Sequence, residues 1–414
     1  MDPDLNEIWS CAAVMKYTVI MFLQILQIFT FSLMAFVLSA FPLSQGNAFP
    51  LDMKKLRPLP GIETVDYQTF YQNSFLVEEK PLDDPLLAFQ VRLPNGWKKS
   101  LDGGSLDIDH SNRVFGEVVS YISPPMLDVH SRFVLEVQEL DHKISARDWF
   151  VKYVIDNGYS LEALNVIDNK TIEALYVVFR QYDSYVKRTY LTINGSKIVS
   201  ASYEIPYDHW KTRRDLQTHS VNSFRLLNPS EKPIEQIKTY SFLELVKFDY
   251  LGSWTLLDNK IRSIDRMQTS LVTTYEYQRE KDERKWRTRY FSPRLSGRID
   301  VNVIAKDYNV SMPEEIKKLS AFLKEEGLEL AELIETREDY TFDETVNFAV
   351  VEAYDTNNKS QTLVGYEFWV APIETDSYYI VVTLLGPNRS ARYYQWAVNA
   401  QAFAQVIQTM REPS

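Results

Sequence analysis

The sequence repeats itself, and this repeat constrains the fold more than any other feature. Tyr-Ile-Ser-Pro at 121–124 recurs as Tyr-Phe-Ser-Pro at 290–293. Upstream of each occurrence a short turn motif ends in a tryptophan, Trp97 in Leu-Pro-Asn-Gly-Trp and Trp254 in Tyr-Leu-Gly-Ser-Trp. These two matches occur in the same order, 169 and 157 residues apart, and predict two copies of one domain, each of roughly 150 residues.

Each copy continues with a strand and then a helix. Residues 131–137 and 297–303 alternate between apolar and polar side chains, which is typical of a half-buried strand. A capping serine precedes and a glycine follows each predicted helix. These pairs are Ser145 with Gly158, and Ser311 with Gly327. Three strands and a second helix are predicted to complete each copy, with a hairpin turn at Asn-Gly-Ser 194–196 in the first.

This order predicts the α+β class, with two tandem antiparallel sheets flanked by helices. Pro-rich and charged stretches between the patterned regions set the predicted boundaries. They are an N-terminal signal or anchor at 1–48, an extended proline-containing arm at 49–84, the first domain at 85–226, a linker at 227–239 and the second domain at 240–412.

The pattern resembles the PsbP-like fold, the fold of the PsbP subunit of photosystem II and of a Ran-binding import factor. The resemblance lies in Pro94, Gly96 and Trp97 before a strand, in the central helix with Trp149, and in the C-terminal helix after two long strands. In the second copy Leu251 replaces the proline. The resemblance implies an α/β/α sandwich and a non-enzymatic binding or assembly module.

The N-terminus predicts export. Residues 17–41 contain no charged side chain, and Gly46 and Ala48 are small residues suited to cleavage after Ala48. We favour a cleaved signal peptide, although the apolar run is also long enough to remain as a membrane anchor. Both interpretations place the rest of the chain outside the cytoplasm, in the periplasm or anchored facing it, with membrane contact through 17–41 in the second.

Composition excludes several classes of function. The only cysteine, Cys11, precedes the apolar run, so the exported part has no thiol for a disulfide, a nucleophile or a zinc site. The net charge of −11 argues against nucleic acid as a partner. We find no catalytic or phosphate-binding motif and predict no cofactor and no metal.

Two motifs carry candidate acid–base or ligand chemistry. Asp107 and Asp109 share a strand face beside His110, where a cation could bridge them, but a solvated edge explains them better because a metal site needs more ligands. The other motif is Tyr-Asp-His-Trp-Lys-Thr-Arg-Arg-Asp at 207–215. It offers Asp208, His209, Arg213 and Arg214 for an anion or carboxylate-peptide contact, or for helix capping and a charged outer face.

A basic segment and an aromatic set complete the candidates. Residues 278–298 carry eight Lys or Arg against three acidic residues, either as a partner surface or as a charged hairpin that protects a strand edge. The binding residues predicted there are Arg284, Lys285, Arg287 and Arg289. Trp369 and Trp396 could line a groove for a peptide or an apolar ligand, although core packing explains them better.

We therefore expect a non-catalytic, exported binding or assembly protein of the bacterial envelope that engages a protein partner. One alternative is a periplasmic hydrolase or metal-dependent enzyme that uses His110 or His209 with a nearby aspartate. Another is a carrier of an apolar ligand or lipid.

Overall fold

A computed structural model describes most of the chain beyond the N-terminal region. The described residues are 56–100, 106–108, 114–125, 129–180, 183–243, 245–263, 265–273, 296–306, 310–325, 327–342, 344–355 and 365–412. Within these ranges, no helix has the length and apolar character needed to span a bilayer. The predicted signal or anchor at 17–41 lies outside them.

The first copy contains a large antiparallel sheet and a small one. Its elements are α1 (Tyr67–Gln72), β1 (Ser74–Glu79), β2 (Phe89–Pro94), β3 (Lys98–Lys99), β4 (Leu106–Ile108), β5 (Val114–Ile122), β6 (Arg132–Glu139), α2 (Ala146–Asn157), β7 (Ser160–Val166), β8 (Thr171–Arg180), β9 (Asp183–Asn194), β10 (Lys197–Pro206), α3 (Tyr207–Ser223) and β11 (Arg225–Leu226). The large sheet has the order β3-β5-β6-β10-β9-β8-β7, with β4 also paired to β5, and the small sheet has the order β1-β2-β11.

The second copy repeats this arrangement. Its elements are β12 (Ile237–Phe242), β13 (Val246–Leu251), β14 (Trp254–Ser263), β15 (Arg266–Thr273), β16 (Arg298–Ala305), α4 (Met312–Glu325), β17 (Leu328–Thr341), β18 (Glu344–Asp355), β19 (Tyr366–Glu374), β20 (Tyr378–Pro387) and α5 (Tyr393–Gln408). The large sheet has the order β14-β15-β16-β20-β19-β18-β17, which matches the first sheet strand for strand. The predicted α+β class with tandem antiparallel sheets is confirmed.

Local signals explain where several elements begin and end. The Ser145 side chain accepts the amide of Asp148 at the start of α2, and Gly158 ends that helix at a φ of 64°. Gly195 adopts a φ of 62° between β9 and β10, so the predicted hairpin is present. The predicted count of three strands after the central helix is wrong: four follow, because β8 and β9 turn back on each other after Arg180.

The domain boundaries differ from those expected. β1 lies inside the predicted arm, yet it pairs with β2 along its whole length and belongs to the first copy. Similarly, β12 starts inside the predicted linker at Ile237 and pairs with β13. Residues 56–66 of the predicted arm, which precede α1, form no helix or strand apart from one bridge between Arg57 and Ala163.

The large sheets are covered on both faces. In the first copy α3 and the small sheet cover one face, where Phe133, Tyr203 and Phe224 are buried in one core cluster. On the opposite face α2 covers Tyr176 and neighbouring side chains of β8 and β9. In the second copy α5 covers the face that contains Trp369. Leu323 of α4 packs on the other face.

The two copies share a core. Buried side chains of α2, such as Phe150, belong to the same apolar cluster as those of β12, β13, α5 and the second large sheet. Polar contacts border this region: the Tyr393 hydroxyl donates to Asp148 at 2.8 Å, and the Lys143 amine donates to Gln405 at 2.7 Å. Burial and the adjacent Asp148 carboxylate raise the pKa of Tyr393, so it remains a donor.

We expect Phe150→Ala to lower the free energy of unfolding by about 3 to 5 kcal/mol, because it opens a cavity in the shared core. Unfolding by denaturant should remain a single transition followed equally by probes in both copies. Phe179→Ala, at a side chain that is 65% exposed, is the control and should change stability by about 0.5 kcal/mol or less. Two separate transitions in the Phe150 variant would contradict a shared core.

Candidate functional site

Several predicted residues lie outside the described part of the chain. These are Arg284, Lys285, Arg287 and Arg289 of the basic segment, together with Asp109 and His110. Asp107 lies in β4. In the ranges that are described, no group of three or more His, Cys, Asp or Glu side chains is arranged to hold a metal ion.

Trp369 and Trp396 are core residues, as the favoured interpretation expected, and the alternative that they line a groove is wrong. Their exposed fractions are 1% and 6%. Both indole N–H groups donate to one oxygen of the buried Glu367 carboxylate, at 3.1 Å from Trp369 and 2.7 Å from Trp396. A buried carboxylate needs such donors, and this requirement holds both rings in place.

Two arginines cover these rings. The guanidinium of Arg337 lies 4.7 Å from the centre of the Trp369 ring, and that of Arg389 lies 4.8 Å from Trp396. Arg389 also forms ion pairs with Glu335 at 2.5 Å and Glu367 at 3.2 Å. Burial opposes its charged form, but the two carboxylates raise the pKa of Arg389. The charges are matched and the donors paired, so this network is structural.

The motif at 207–215 lies on α3, where it meets the N-terminal arm. Asp208 is in the first turn, and no side chain caps the helix, so the predicted capping by Asp208 is absent. His209 and Arg213 are partly exposed on the same helix. Arg214 forms an ion pair with Glu63. The carboxylate that Arg214 contacts belongs to this chain, so the contact with a separate anion or carboxylate peptide stays a prediction.

We call residues 56–66 the arm peptide, and the surface that holds it the arm groove. The arm groove comprises an apolar pocket and four polar side chains: Ala163, Leu175, Val177, Val186 and Trp210 around Leu59, followed by Arg188, Arg214, Asp215 and His219. The pocket is formed where β7, β8 and β9 pass under α3. Leu59, between two prolines, is the apolar anchor.

The Arg188 side chain contacts the backbone of the arm peptide. Its exposed fraction is 4%, and its guanidinium donates to the Pro60 carbonyl at 3.2 Å. The same group donates to Thr218 at 2.7 Å and to the Glu173 carboxylate at 2.6 Å. These two partners fix the orientation of the guanidinium towards the Pro60 carbonyl.

Asp215 makes the largest set of contacts with the arm peptide. One carboxylate oxygen accepts the amides of Glu63 at 3.1 Å, Thr64 at 2.5 Å and Val65 at 3.0 Å, and the Thr64 hydroxyl at 2.8 Å. Burial alone would raise the pKa of Asp215, but these four donors lower it to about 2. The carboxylate is therefore charged and bound to main-chain donors.

His219 closes the arm groove. Its Nε2 lies 2.6 Å from the Val65 carbonyl oxygen, so this nitrogen carries the proton and donates. The ring stacks on Phe70 of α1, with centroids 4.9 Å apart. The arm peptide is thus bound through one apolar anchor, one ion pair and donors and acceptors on its backbone.

The strand register shows what occupies the same place in the second copy. Arg188 pairs with Tyr203, and Tyr203 with Phe133; Trp369 pairs with Leu384, and Leu384 with Ile299. β6 and β16 occupy the same place in the two sheet orders and begin at Arg132 and Arg298, so Phe133 corresponds to Ile299 and Arg188 to Trp369. Where the first copy holds the arm peptide, the second is filled by the Trp369 and Trp396 network.

A buried lysine lies on the other face of the first sheet. The Lys187 amine is 2.8 Å from Glu136 and 3.4 Å from Glu204, and its side chain is 2% exposed. Burial disfavours the charged amine, but Glu136 and the other nearby acids raise the pKa of Lys187 well above its ordinary value. A nucleophilic lysine needs a lowered pKa, so this group is an ion-pair partner.

No protein-family model and no curated protein matches this chain. Among solved structures, it is similar to the cyanobacterial PsbP of Synechocystis, with 19% identity over 41% of this chain and 98% of that one, at a TM-score of 0.27. The Ran-binding protein Mog1p of Saccharomyces cerevisiae matches with 11% identity over 44% and 97%, at a TM-score of 0.28. The type VI secretion immunity protein TplEi of Pseudomonas aeruginosa matches with 8% identity over 78% and 94%, at a TM-score of 0.20.

The PsbP-like resemblance drawn from the sequence motifs agrees with the first two of these matches. The fold of each copy is defined independently by its own strand order.

Sequence reasoning missed Asp215, Arg188 and His219 as groove residues. The sequence offered one signal: Asp215 follows two arginines on the predicted helix. If Asp215 lies on the buried face of that helix, its carboxylate requires hydrogen-bond donors from elsewhere in the chain. The donors come from residues about 150 positions upstream, which no local pattern indicates.

We expect Trp396→Phe to lower the free energy of unfolding by about 1.5 to 3 kcal/mol, because a hydrogen bond to the buried Glu367 carboxylate is lost. Trp97→Phe is the matched control for ring volume, since no hydrogen bond of the Trp97 indole is found among the described residues. Equal losses in the two variants, measured by denaturant unfolding, would contradict the role of Glu367.

Docking of the arm peptide should depend on pH through Asp215. The pKa of its carboxyl is about 2 when docked and 3.8 ordinarily, so its contribution is complete above about pH 4 and is lost as pH falls towards 2. Amide exchange of Thr64 and Val65, corrected for intrinsic rates, should show protection falling over this window.

In Asp215→Asn the protection should already be low at pH 7 and should not change between pH 4 and 2. Asp208→Asn, at an exposed carboxyl of the same helix, should behave like the unmodified chain. Full protection in the Asp215 variant would show that other contacts hold the arm peptide.

Proposed function

We propose that this protein is a non-catalytic, exported binding or assembly protein of the bacterial envelope, and that its partner is another protein. The observation that carries the proposal is the arm groove, which holds a protein segment by an apolar anchor, an ion pair and backbone hydrogen bonds. This combination is the chemistry by which domains recognise extended segments of other proteins. The export signal predicted from residues 17–48 supports a location in the periplasm or on the membrane facing it.

The titratable groups of the described fold support a binding role over catalysis. Lys187 is held protonated between carboxylates, and one oxygen of the charged Asp215 carboxylate accepts four hydrogen bonds from the arm peptide. His219 donates to a carbonyl, and His130 lies with Nδ1 2.7 Å from the Ser123 carbonyl oxygen. Each of these groups satisfies a structural partner, whereas a general base must reach a substrate proton.

The basic segment is a second proposed contact. Arg284, Lys285, Arg287 and Arg289 would add electrostatic attraction for an acidic partner in a chain whose net charge is −11. Two linked copies would increase avidity if each engaged the same partner.

The first test combines envelope fractionation with site-specific photocrosslinking. Mass spectrometry of the N-terminus should find a mature chain that begins at Phe49. A photocrosslinking residue at Tyr207, which is 57% exposed and one turn before Trp210, should trap a defined envelope protein. The same residue at Tyr340, 54% exposed in the second copy, is the control.

Recovery of only background proteins from Tyr207 would count against a protein partner. An intact hydrophobic N-terminus in the membrane fraction would mean that the protein is anchored in the membrane, and the proposal of a soluble mature chain would be wrong.

A further inference from the structure

The groove and the arm peptide differ in how deeply their side chains are buried. The groove residues Arg188, Asp215 and His219 have exposed fractions of 4%, 3% and 4%. In contrast, none of the described residues 56–66 is buried, and seven of them are exposed. In the docked state the groove side chains are therefore almost fully covered, while the arm peptide stays mostly exposed to solvent.

The groove needs an occupant. Without the arm peptide, the Asp215 carboxylate would lose four donors and Arg188 and His219 would each lose a carbonyl acceptor. Leaving a buried polar group unpaired costs about 1 to 3 kcal/mol, and more if it is charged. Exchange of one segment for another with the same backbone contacts avoids this cost, whereas simple opening does not.

The contacts define which features of a peptide the groove recognises. Leu59 enters the apolar pocket, Glu63 pairs with Arg214, and Thr64 gives its amide and hydroxyl to Asp215. The side chains at positions 61 and 62 are not recognised by the groove. A Cβ on Gly61 would meet nothing within 4 Å, and Ile62 is 45% exposed. A ligand therefore needs a leucine and, four residues later, a carboxylate followed by threonine.

We propose that the arm groove is a peptide-binding site, that the arm peptide is its resident ligand, and that a partner protein binds by presenting an extended segment with a proline-flanked leucine and a carboxylate four residues later. This inference rests on the proposed protein-binding function and names the site and the ligand. Binding of the partner displaces the arm peptide, so the chain that joins the N-terminal region to the first copy is released in the same step.

The second copy indicates why one site is expected. At the position equivalent to Arg188 it carries Trp369, and the side chains of Trp396, Arg337 and Arg389 complete a paired network there. In the first copy the corresponding position carries Arg188, which donates to the arm peptide and is buried when that peptide is docked.

The test measures binding of a fluorescent peptide with the sequence Leu-Arg-Pro-Leu-Pro-Gly-Ile-Glu-Thr-Val-Asp to the purified exported chain. In Leu59→Ala the resident arm is weakened, so the peptide should bind at least tenfold more tightly than to the unmodified chain. Adding Asp215→Asn to Leu59→Ala should remove this binding. Leu76→Ala, at an exposed leucine of β1, is the matched control and should bind like the unmodified chain.

A second measurement does not depend on any variant. Excess peptide added to the unmodified chain should accelerate amide exchange at Thr64 and Val65 of the arm, while a peptide with alanine in place of its second leucine should not. No acceleration at saturating peptide, together with no tighter binding by folded Leu59→Ala, would overturn the inference. These assays contain no envelope partner, so their failure and a failure of the crosslinking experiment are distinguishable.

Discussion

A large antiparallel sheet with apolar side chains on both faces has to be covered on both faces, and the rest of this structure depends on that requirement. Each copy uses its C-terminal helix and a small sheet on one face and its central helix on the other. In the first copy the central helix α2 then contributes to a core shared with α5 of the second copy. Covering one sheet thus joins the two copies.

The same surface has two uses in the two copies. In the first, the region beside the C-terminal helix holds the arm peptide through Asp215, Arg188 and His219. In the second, tryptophan and arginine side chains fill the region, and Tyr393 at the start of α5 bonds to Asp148 of α2. The first copy therefore uses this surface for a separate segment, and the second copy uses it for internal packing.

The energetics of the arm groove follow from buried polar groups. A charged carboxylate at 3% exposure is stable only when donors surround it, and here the donors are backbone amides of a segment that is itself mostly exposed. Leaving this groove empty therefore costs much more free energy than replacing one suitable occupant by another. These properties suit a site that exchanges ligands.

Sequence alone predicted the α+β class with tandem antiparallel sheets, the helix ends at Ser145, Gly158 and Gly327, and the hairpin at Gly195, because caps, turns and periodicity act over a few neighbouring residues. It did not reveal that β1 belongs to the first copy or that Asp215 binds Thr64, and it left open whether Trp369 and Trp396 line a groove. Those outcomes depend on which distant side chains and amides meet when the sheets are covered, and only the tertiary structure decides that.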